Sequence, residues 1–324
     1  MQYRQLGQSG VEVSEISLGC WTLGGLNWVD GVPNGWADVD DNECIRAIQR
    51  AIDAGVNHFD NADCYGNGRA ERLLAQALGE RRQNVVIASK VGHFCGTAQH
   101  AYEALHVRHQ CEQSLKNLRT DHLDVYYFHH GDFGPDDCYL DEALETFHRL
   151  QEEGKIRLVG LSAYSADDFR RLVPKIRPTV LQSWAHLMDD QFIRPGGPVA
   201  QLLAERHMSF VAFSPLAQGL LLGKYDPDKP PQFEAGDFRS ERDRFSTESI
   251  RKVNAQVDQV KQRFGASAEQ LARVALQYVL AHDNIACVIP GFRNTRQVVC
   301  NVSAAGKPLG AEEVGFLRGV FLEK

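Results

Sequence analysis

Short apolar runs recur along the chain, and each is followed by a polar turn and then by a segment with helical spacing. There are eight such runs, and their lengths suit parallel strands that are buried on both faces. Because these strands alternate with helical segments, the pattern predicts βα units that build one parallel sheet. The runs occupy residues 16–20, 57–62, 84–90, 123–129, 156–162, 179–184, 209–215 and 285–291.

The segments between the runs carry apolar residues at intervals of three and four, which is the spacing of one helix face. In the segment 40–55, Asp40 stands where an N-cap is expected and Gly55 where the helix should end. Eight βα units predict an α/β fold, a closed (β/α)8 TIM barrel, with residues 1–324 forming a single domain. The alternative, an open doubly wound sheet, needs a glycine-rich phosphate turn after its first strand, and residues 21–31 lack that spacing.

Two features lie outside the βα repeat. Residues 3–16 predict an N-terminal hairpin that turns between Gly7 and Gly10 and closes the bottom of the barrel. Residues 217–245, after the seventh strand, form a long segment rich in Gly, Pro and charge. Long loops in compact domains usually carry function, so this one is expected to lie over the barrel mouth as a lid.

Composition narrows the classes of partner. The chain has 324 residues, 43% of them hydrophobic and 24% charged, with a formal net charge of −7. This balance lacks the basic patch that nucleic acid or anionic lipid requires. We find no apolar segment typical of a secretory signal and no run long enough to span a bilayer, so we expect a cytoplasmic protein without nucleic-acid or membrane partners. The cysteines form no C-x-x-C pair, which predicts reduced thiols and no metal site. The oligomeric state stays open.

Polar side chains stand at the ends of the apolar runs, where the strands of a barrel meet at its mouth. Asp60, Lys90 and His129 lie at the ends of the second, third and fourth runs, and Tyr65 follows the second. Asp60 and Lys90 would be costly inside apolar strands unless each is the other's partner. Any one of these residues could be a surface or capping group, but their convergence predicts an active site with all four as catalytic residues.

These four residues suit the reduction of a carbonyl group. A hydride that arrives at a carbonyl carbon leaves negative charge on oxygen, so a proton donor is needed there. Tyr65 is the candidate general acid and base, and Lys90 is expected to lower its pKa from the ordinary value of about 10. Asp60 would hold Lys90 in place, and His129 would orient the carbonyl oxygen. A barrel hydrolase would instead need paired carboxylates or a metal cluster at the mouth, and the sequence indicates neither.

These motifs resemble the aldo-keto reductase superfamily over nearly the whole chain. The stretch FDNADCYG at 59–66 is similar to the family's Phe-Asp-Thr-Ala-x-x-Tyr-Gly element. IASKVG at 87–92 carries the family's Lys, and LDVYYFHH at 123–130 carries its His. The motifs GKIRLVGLSAYS, VAFSPLAQGLLLGKY and IPGFRNTRQVVCN are also similar, and the whole pattern most resembles the longer bacterial NADP-dependent members.

The resemblance implies an extended NADP(H) across the barrel mouth, with NAD as the alternative cofactor. It implies that Ser162 and Gln182 bind the carboxamide and that Phe213 stacks on the nicotinamide ring. The sequence departs from the family at Ala163, where Asn is usual, and at Cys300, where Glu is usual. The residues implied for the pyrophosphate and the adenosine end are Ser214, Leu216, Gln218, Lys224, Gly291, Arg293, Gln297 and Asn301.

The substrate pocket is expected to combine aromatic faces with polar groups, which suits a sugar or polyol and also an aromatic aldehyde. The expected partner is therefore a small-molecule carbonyl compound or the matching alcohol. The alternative function is a cofactor-binding barrel that acts mainly as a regulatory or interaction subunit, as some relatives do. The expected pocket residues are Trp21, Trp28, Phe94, His130 and Trp184.

Overall fold

The computed structural model describes residues 1–323, and within them eight parallel strands form one sheet that closes into a barrel. Each strand pairs with its neighbours in sequence. The ends of the sheet meet where Ser17 N donates to Val288 O (3.0 Å) and Gly19 N to Pro290 O (3.1 Å). The strands are β1 (Leu18–Gly19), β2 (His58–Asp60), β3 (Val86–Val91), β4 (Leu123–Phe128), β5 (Ile156–Ser162), β6 (Val180–Trp184), β7 (Ser209–Phe213) and β8 (Ile285–Ile289).

Helices follow the strands and cover the outside of the barrel. The first begins as the sequence predicts, because the Asp40 side chain accepts a hydrogen bond from Glu43 N at 2.8 Å and caps it. The helices are α1 (Asp41–Asp53), α2 (Arg69–Leu78), α3 (Ala104–Leu118), α4 (Leu140–Glu152), α5 (Ala166–Ile176), α6 (Pro198–Arg206), α7 (Thr247–Phe264), α8 (Ala268–Leu280), α9 (Thr295–Val302) and α10 (Ala311–Phe321).

The predicted (β/α)8 barrel is confirmed, and the strand bounds differ in two places. β1 has only two residues of the run 16–20, although the backbone just before it also pairs with the eighth strand through Ser17 N and Val288 O. β7 ends at Phe213 instead of continuing to 215, because Ser214 adopts a left-handed φ of 55° and Pro215 has no N–H to donate.

The N-terminal hairpin closes the bottom of the barrel, as predicted. Its strands, Tyr3–Gln5 and Glu12–Ser14, pair antiparallel. Leu6 and Val13 are fully buried among side chains of the barrel interior, and Gly7 N donates to the Oγ of Ser209, the first residue of β7, at 2.7 Å. The mouth at the other end is therefore the open face of the barrel.

A second hairpin stands at the rim of the mouth, and our reading of the sequence did not include it. Trp28–Val29 pairs antiparallel with Val32–Pro33. Its turn is Asp30-Gly31, with φ values of 50° and 79°. An Asp-Gly pair between two short apolar segments is the usual sequence signal of such a turn, so the hairpin could have been predicted.

The long loop after β7 crosses the mouth to the loop after β1. Gly35 N donates to Gly236 O at 2.9 Å, and Phe238 N donates to Gly35 O at 2.8 Å. The Asp237 carboxylate accepts from Ala37 N at 2.9 Å and holds Arg239. The predicted lid is thus fastened across the barrel mouth. Among the helices of the described chain, none has both the length and the apolar character to cross a membrane.

Candidate active site

Three neighbouring strands bring the predicted catalytic residues to the barrel mouth. Asp60 is the last residue of β2, Lys90 lies near the end of β3, and His129 directly follows β4. Tyr65 reaches the group from the turn after β2. Because β2 pairs with β3 and β3 with β4, these strand ends are adjacent. Asp60, Lys90 and His129 are buried, and Tyr65 is partly exposed to the mouth.

Lys90 is held by three oxygen atoms. Its ammonium donates to Asp60 Oδ1, to Asn61 O at 2.6 Å and to Tyr65 Oη at 3.2 Å. An ammonium has three hydrogens, so these contacts use all of them. The other carboxylate oxygen, Asp60 Oδ2, accepts from Gln182 Nε2 at 2.7 Å. The pairing of Asp60 with Lys90 that the sequence predicts is therefore present, and Gln182 extends it to β6.

The turn that carries Tyr65 depends on left-handed backbone. Gly66, Asn67 and Gly68 have φ values of 60°, 49° and 80°, and α2 begins immediately afterwards. Gly66 also lies against the loop after β1, where an added Cβ would approach the Gly24 carbonyl oxygen to 2.1 Å. Only glycine fits there, and this close approach fixes the backbone beside Tyr65.

The pKa of Tyr65 lies well above its ordinary value. Burial disfavours the phenolate, and the like charge of Asp60 acts in the same direction. The expectation that Lys90 lowers this pKa is wrong for this structure. Asp60 contacts the Lys90 ammonium and opposes its attraction for a phenolate, so burial decides the direction of the shift. Tyr65 is consequently a neutral O–H donor at neutral pH.

His129 is also neutral at neutral pH. Burial disfavours the imidazolium, and His93 and Lys90 add to the effect, so its pKa lies well below the ordinary value. Its ring centroid is 5.9 Å from that of Tyr65, and its Nδ1 lies 4.0 Å from Cys64 Sγ. A neutral imidazole next to a phenol can hydrogen-bond a ligand oxygen without adding charge to the site.

Asp63, Cys64 and His129 bring an oxygen, a sulfur and a nitrogen atom within 4.8 Å of one another. Both carboxylate oxygens of Asp63 are buried without a hydrogen-bond partner, and burial raises its pKa well above the ordinary value. Such a set could bind a metal ion. No sequence motif indicates this set, because residues 63–64 and 129 are far apart along the chain. The expectation of no metal site stays a prediction.

Two polar side chains beside the four catalytic candidates could bind a ligand amide. Ser162 ends β5, and its Oγ is buried without a hydrogen-bond partner. Gln182 is buried in β6, and only its amide nitrogen is used by Asp60. A buried hydroxyl without a hydrogen-bond partner lowers the free energy of unfolding unless a ligand forms a hydrogen bond with it. The neighbouring Ala163 is fully buried and supplies no side-chain donor.

Positive charge collects where the lid meets the eighth strand. Burial, followed by the charges of Arg239 and Arg293, lowers the pKa of Lys224 to about 8. Burial and Arg239 likewise lower the pKa of Arg293. Asp237 pairs with Arg239 at 2.8 Å and offsets one of the three cations. The remaining excess of positive charge suits a phosphorylated ligand. Arg239 was not among the residues predicted from the sequence. The basic stretch RSERDR in the lid, which begins with Arg239, is the feature that indicates it.

The residues expected at the adenosine end shape one turn. Arg293 N donates to Gln297 Oε1 at 2.7 Å, and Asn301 Nδ2 donates to Gly291 O at 3.3 Å. Asn294 caps α9, because its side chain accepts from Gln297 N at 3.0 Å. The backbone after β8 is thereby fixed next to the cations.

The residues expected at the pyrophosphate lie at the end of β7. Gln218 Nε2 donates to Ser214 Oγ at 2.8 Å, and both residues have left-handed backbone. Phe213 and Leu216 are partly buried beside them. Phe213 faces Trp184 with ring centroids 6.3 Å apart, which gives an aromatic wall on this side of the mouth.

The five predicted pocket residues lie at different depths in the barrel mouth. The Trp21 ring is 6.3 Å from the Tyr65 ring, and Trp184 lies at the end of β6, so both border the catalytic candidates. Trp28 and Phe94 are 49% and 36% exposed and lie at the rim. The fifth, His130, is anchored to the loop after β3. His93 was not among the residues predicted from the sequence, and its ring centroid is 4.3 Å from that of His129.

Comparisons with known proteins agree with this geometry. Residues 15–320 match the model of the aldo/keto reductase family. The chain is 28% identical to the uncharacterized oxidoreductase YqkF of Bacillus subtilis, over 98% of this chain and 96% of that protein. It is 30% identical to a probable voltage-gated potassium channel subunit beta of Oryza sativa subsp. japonica, over 94% and 91%. The holo structure of aldo-keto reductase AKR11C1 from Bacillus halodurans is 26% identical, covers 100% of this chain and 97% of its own, and superposes with a TM-score of 0.77.

The burial of the Asp60–Lys90 pair predicts a large loss of stability in Asp60→Asn. The substitution removes the carboxylate charge and leaves the Lys90 ammonium buried, which should lower the free energy of unfolding by about 3–5 kcal/mol. The matched control is Asp53→Asn, which breaks an exposed pair with Arg81 and should cost under about 1 kcal/mol. Urea unfolding at pH 7 measures both, and equal losses would contradict the prediction.

Proposed function

The chain belongs to the aldo/keto reductase family, and we propose that it is an NADP(H)-dependent oxidoreductase that reduces an aldehyde or ketone or oxidises the matching alcohol. The observation that carries the proposal is the hydrogen bond of 3.2 Å from Lys90 Nζ to Tyr65 Oη, with Lys90 neutralised by Asp60. This arrangement suits a phenol that gives up and regains a proton. We propose that the whole chain acts as a single domain.

Tyr65 is the general acid and base in this proposal. The bound nicotinamide cofactor supplies the hydride, and Tyr65 Oη donates the proton that the reduced carbonyl oxygen takes up. Lys90 then stabilises the phenolate left behind, because its ammonium already donates to that oxygen. His129 hydrogen-bonds the carbonyl oxygen and fixes the orientation of the substrate. Alcohol oxidation reverses the proton transfer.

The unpartnered atoms support a nicotinamide cofactor at the mouth. Ser162 Oγ would hydrogen-bond the carboxamide, and Gln182 would accept through Oε1 while one of its two amide hydrogens stays on Asp60 Oδ2. Lys224, Arg239 and Arg293 would hold the phosphate groups. Ala163 offers no side-chain hydrogen bond, so the carboxamide would depend on fewer contacts than in most relatives.

A regulatory subunit that binds the cofactor without turnover is the competing function, because one relative is named a probable potassium channel subunit beta. The conjunction of Asp60, Tyr65, Lys90 and His129 favours the enzyme, since a subunit that only binds has no need of a buried lysine on a tyrosine hydroxyl. Cofactor binding without oxidation of NADPH by any carbonyl compound would favour the subunit instead.

Tyr65→Phe tests the assignment of the proton donor. The variant keeps the ring and loses the hydroxyl, so the rate of carbonyl reduction should fall by about 10²- to 10⁴-fold. NADPH affinity, measured by fluorescence titration, should stay close to that of the parent. Turnover at the parental rate would refute the role of Tyr65.

The shifted pKa values of Tyr65 and His129 predict a flat pH profile for reduction. Tyr65 donates only when protonated, and its pKa is raised, so the acid form persists beyond its ordinary value of about 10. His129 has a lowered pKa and stays neutral below its ordinary value of about 6.5. With NADPH saturating at every pH, so that the loss of the Lys224 charge near pH 8 does not limit cofactor binding, the kcat/KM for the carbonyl substrate should therefore be constant between about pH 6 and 9. A change of kcat/KM that titrates near pH 7 would contradict the raised pKa of Tyr65 or the lowered pKa of His129.

Arg293→Ala should separate the two cofactors. If the guanidinium contacts the 2′-phosphate, kcat/KM for NADPH should fall by roughly 10- to 100-fold, the scale of a charged hydrogen bond. The value for NADH should change little, because NADH has no such phosphate. The matched control is Arg296→Ala, an exposed arginine in α9, which should affect neither cofactor. An equal loss for both cofactors in Arg293→Ala, or a parent that prefers NADH, would overturn the preference for NADPH.

A further inference from the structure

A histidine and a tyrosine form a neutral hydrogen-bonded pair beside His129. His93, in the loop after β3, lies with its Nε2 at 2.8 Å from the Oη of Tyr164, in the loop after β5. The His93 ring centroid is 4.3 Å from that of His129, and the Tyr164 ring stacks on Trp184 at 6.3 Å. The pair therefore lies between the proposed carbonyl site and the aromatic wall.

The pair carries no charge at neutral pH. Burial, with smaller effects of His130 and Lys90, lowers the pKa of His93 to about 3. A neutral imidazole has one nitrogen that donates and one that accepts, and a phenol does both. Depending on which nitrogen carries the proton, Tyr164 Oη is free either to donate or to accept a further hydrogen bond. This is the property needed to bind a hydroxyl group, which is itself donor and acceptor.

Exposure leaves this position open to a ligand. Tyr164 is 41% exposed and His93 is partly exposed, whereas the neighbouring His130 is used elsewhere, since its Nε2 donates to Gly92 O at 2.7 Å. The two side chains of the pair come from different loops, and the Trp184 ring stacks on the Tyr164 ring. The position next to His129 is therefore a hydrogen-bonding subsite.

We propose that His93 and Tyr164 bind a hydroxyl group on the carbon next to the substrate carbonyl, so that the preferred substrates are 2-hydroxy aldehydes and ketones, and vicinal diols in the oxidative direction. This inference rests on the proposed function, because it places the carbonyl oxygen at Tyr65 and His129. Oxygen atoms on adjacent carbons lie close together. The rings of His129 and His93 are also close, with centroids 4.3 Å apart, so each can face one of the two oxygens. The 2-hydroxyl then meets the pair when the carbonyl oxygen meets His129.

The test compares lactaldehyde with propanal, which differ by the 2-hydroxyl alone, using NADPH. The parent should have a higher kcat/KM for lactaldehyde, and Tyr164→Phe should lower the lactaldehyde-to-propanal ratio by roughly tenfold, the scale of one hydrogen bond. The change should appear in KM, because the 2-hydroxyl is bound equally in the ground and transition states. The matched control is Tyr3→Phe, which removes a tyrosine hydroxyl at the closed end of the barrel and should leave the ratio and rates unchanged.

The coupling of the two residues supplies a second measurement. His93→Phe should lower the ratio as Tyr164→Phe does, and the double variant should lower it no further, because the two residues act as one unit. A parent without preference for lactaldehyde, or variants that lower kcat for both aldehydes with an unchanged ratio, would overturn the proposal while leaving carbonyl reduction intact. Failure of the parent to reduce any aldehyde or ketone, or to oxidise any alcohol, would instead refute the proposed function on which the proposal rests.

Discussion

A lysine ammonium inside a barrel has to be neutralised where it stands, and in this protein Asp60 does so. The constraint fixes more than two side chains. Asp60 uses one carboxylate oxygen for Lys90 and the other for Gln182, so β2, β3 and β6 are tied together at the mouth. Lys90 in turn fixes Tyr65 Oη, and a disturbance of any of these contacts reaches the others. Because burial and the Asp60 charge raise the pKa of Tyr65, the phenol keeps its proton in the resting site and is present there as the proton-donating form.

The fold was largely predictable because parallel strands leave a strong pattern. Strands covered on both faces are continuous apolar runs, and all eight reappear as barrel strands in the predicted order. The bounds were less predictable, since they depend on where backbone pairing stops. The predicted run 209–215 includes Ser214 and Pro215, but the left-handed backbone of Ser214 ends the strand at Phe213. The strands of the rim hairpin are only two residues long, so its Asp30-Gly31 turn is the one feature of the sequence that indicates it.

The site was predictable as far as strand ends determine it. Asp60, Lys90 and His129 stand at the ends of successive strands, and the closure of the barrel brings them together without any detail of packing. What loops contribute was not predictable. Arg239 joins the cationic cluster only because the lid fastens to the loop after β1, and His93 meets Tyr164 only because two loops bend towards each other. The predicted direction of the Tyr65 pKa shift was also wrong, because the shift depends on burial and on the net charge of the ion pair.

The N-terminal hairpin has a consequence for how the chain acquires its structure during synthesis. Residues 3–14 are synthesised before the barrel strands, yet Arg4 donates to the carbonyl oxygens of Leu280 and Ile285, which lie 276 and 281 residues later in the chain. The backbone just before β1 likewise pairs with Val288 of β8, through Glu15 O and Ser17 N. The apolar side of the hairpin, with Leu6 and Val13, therefore reaches its final packing only after β8 has been synthesised. Contacts of such long sequence separation form slowly, so the hairpin is expected to dock late in folding.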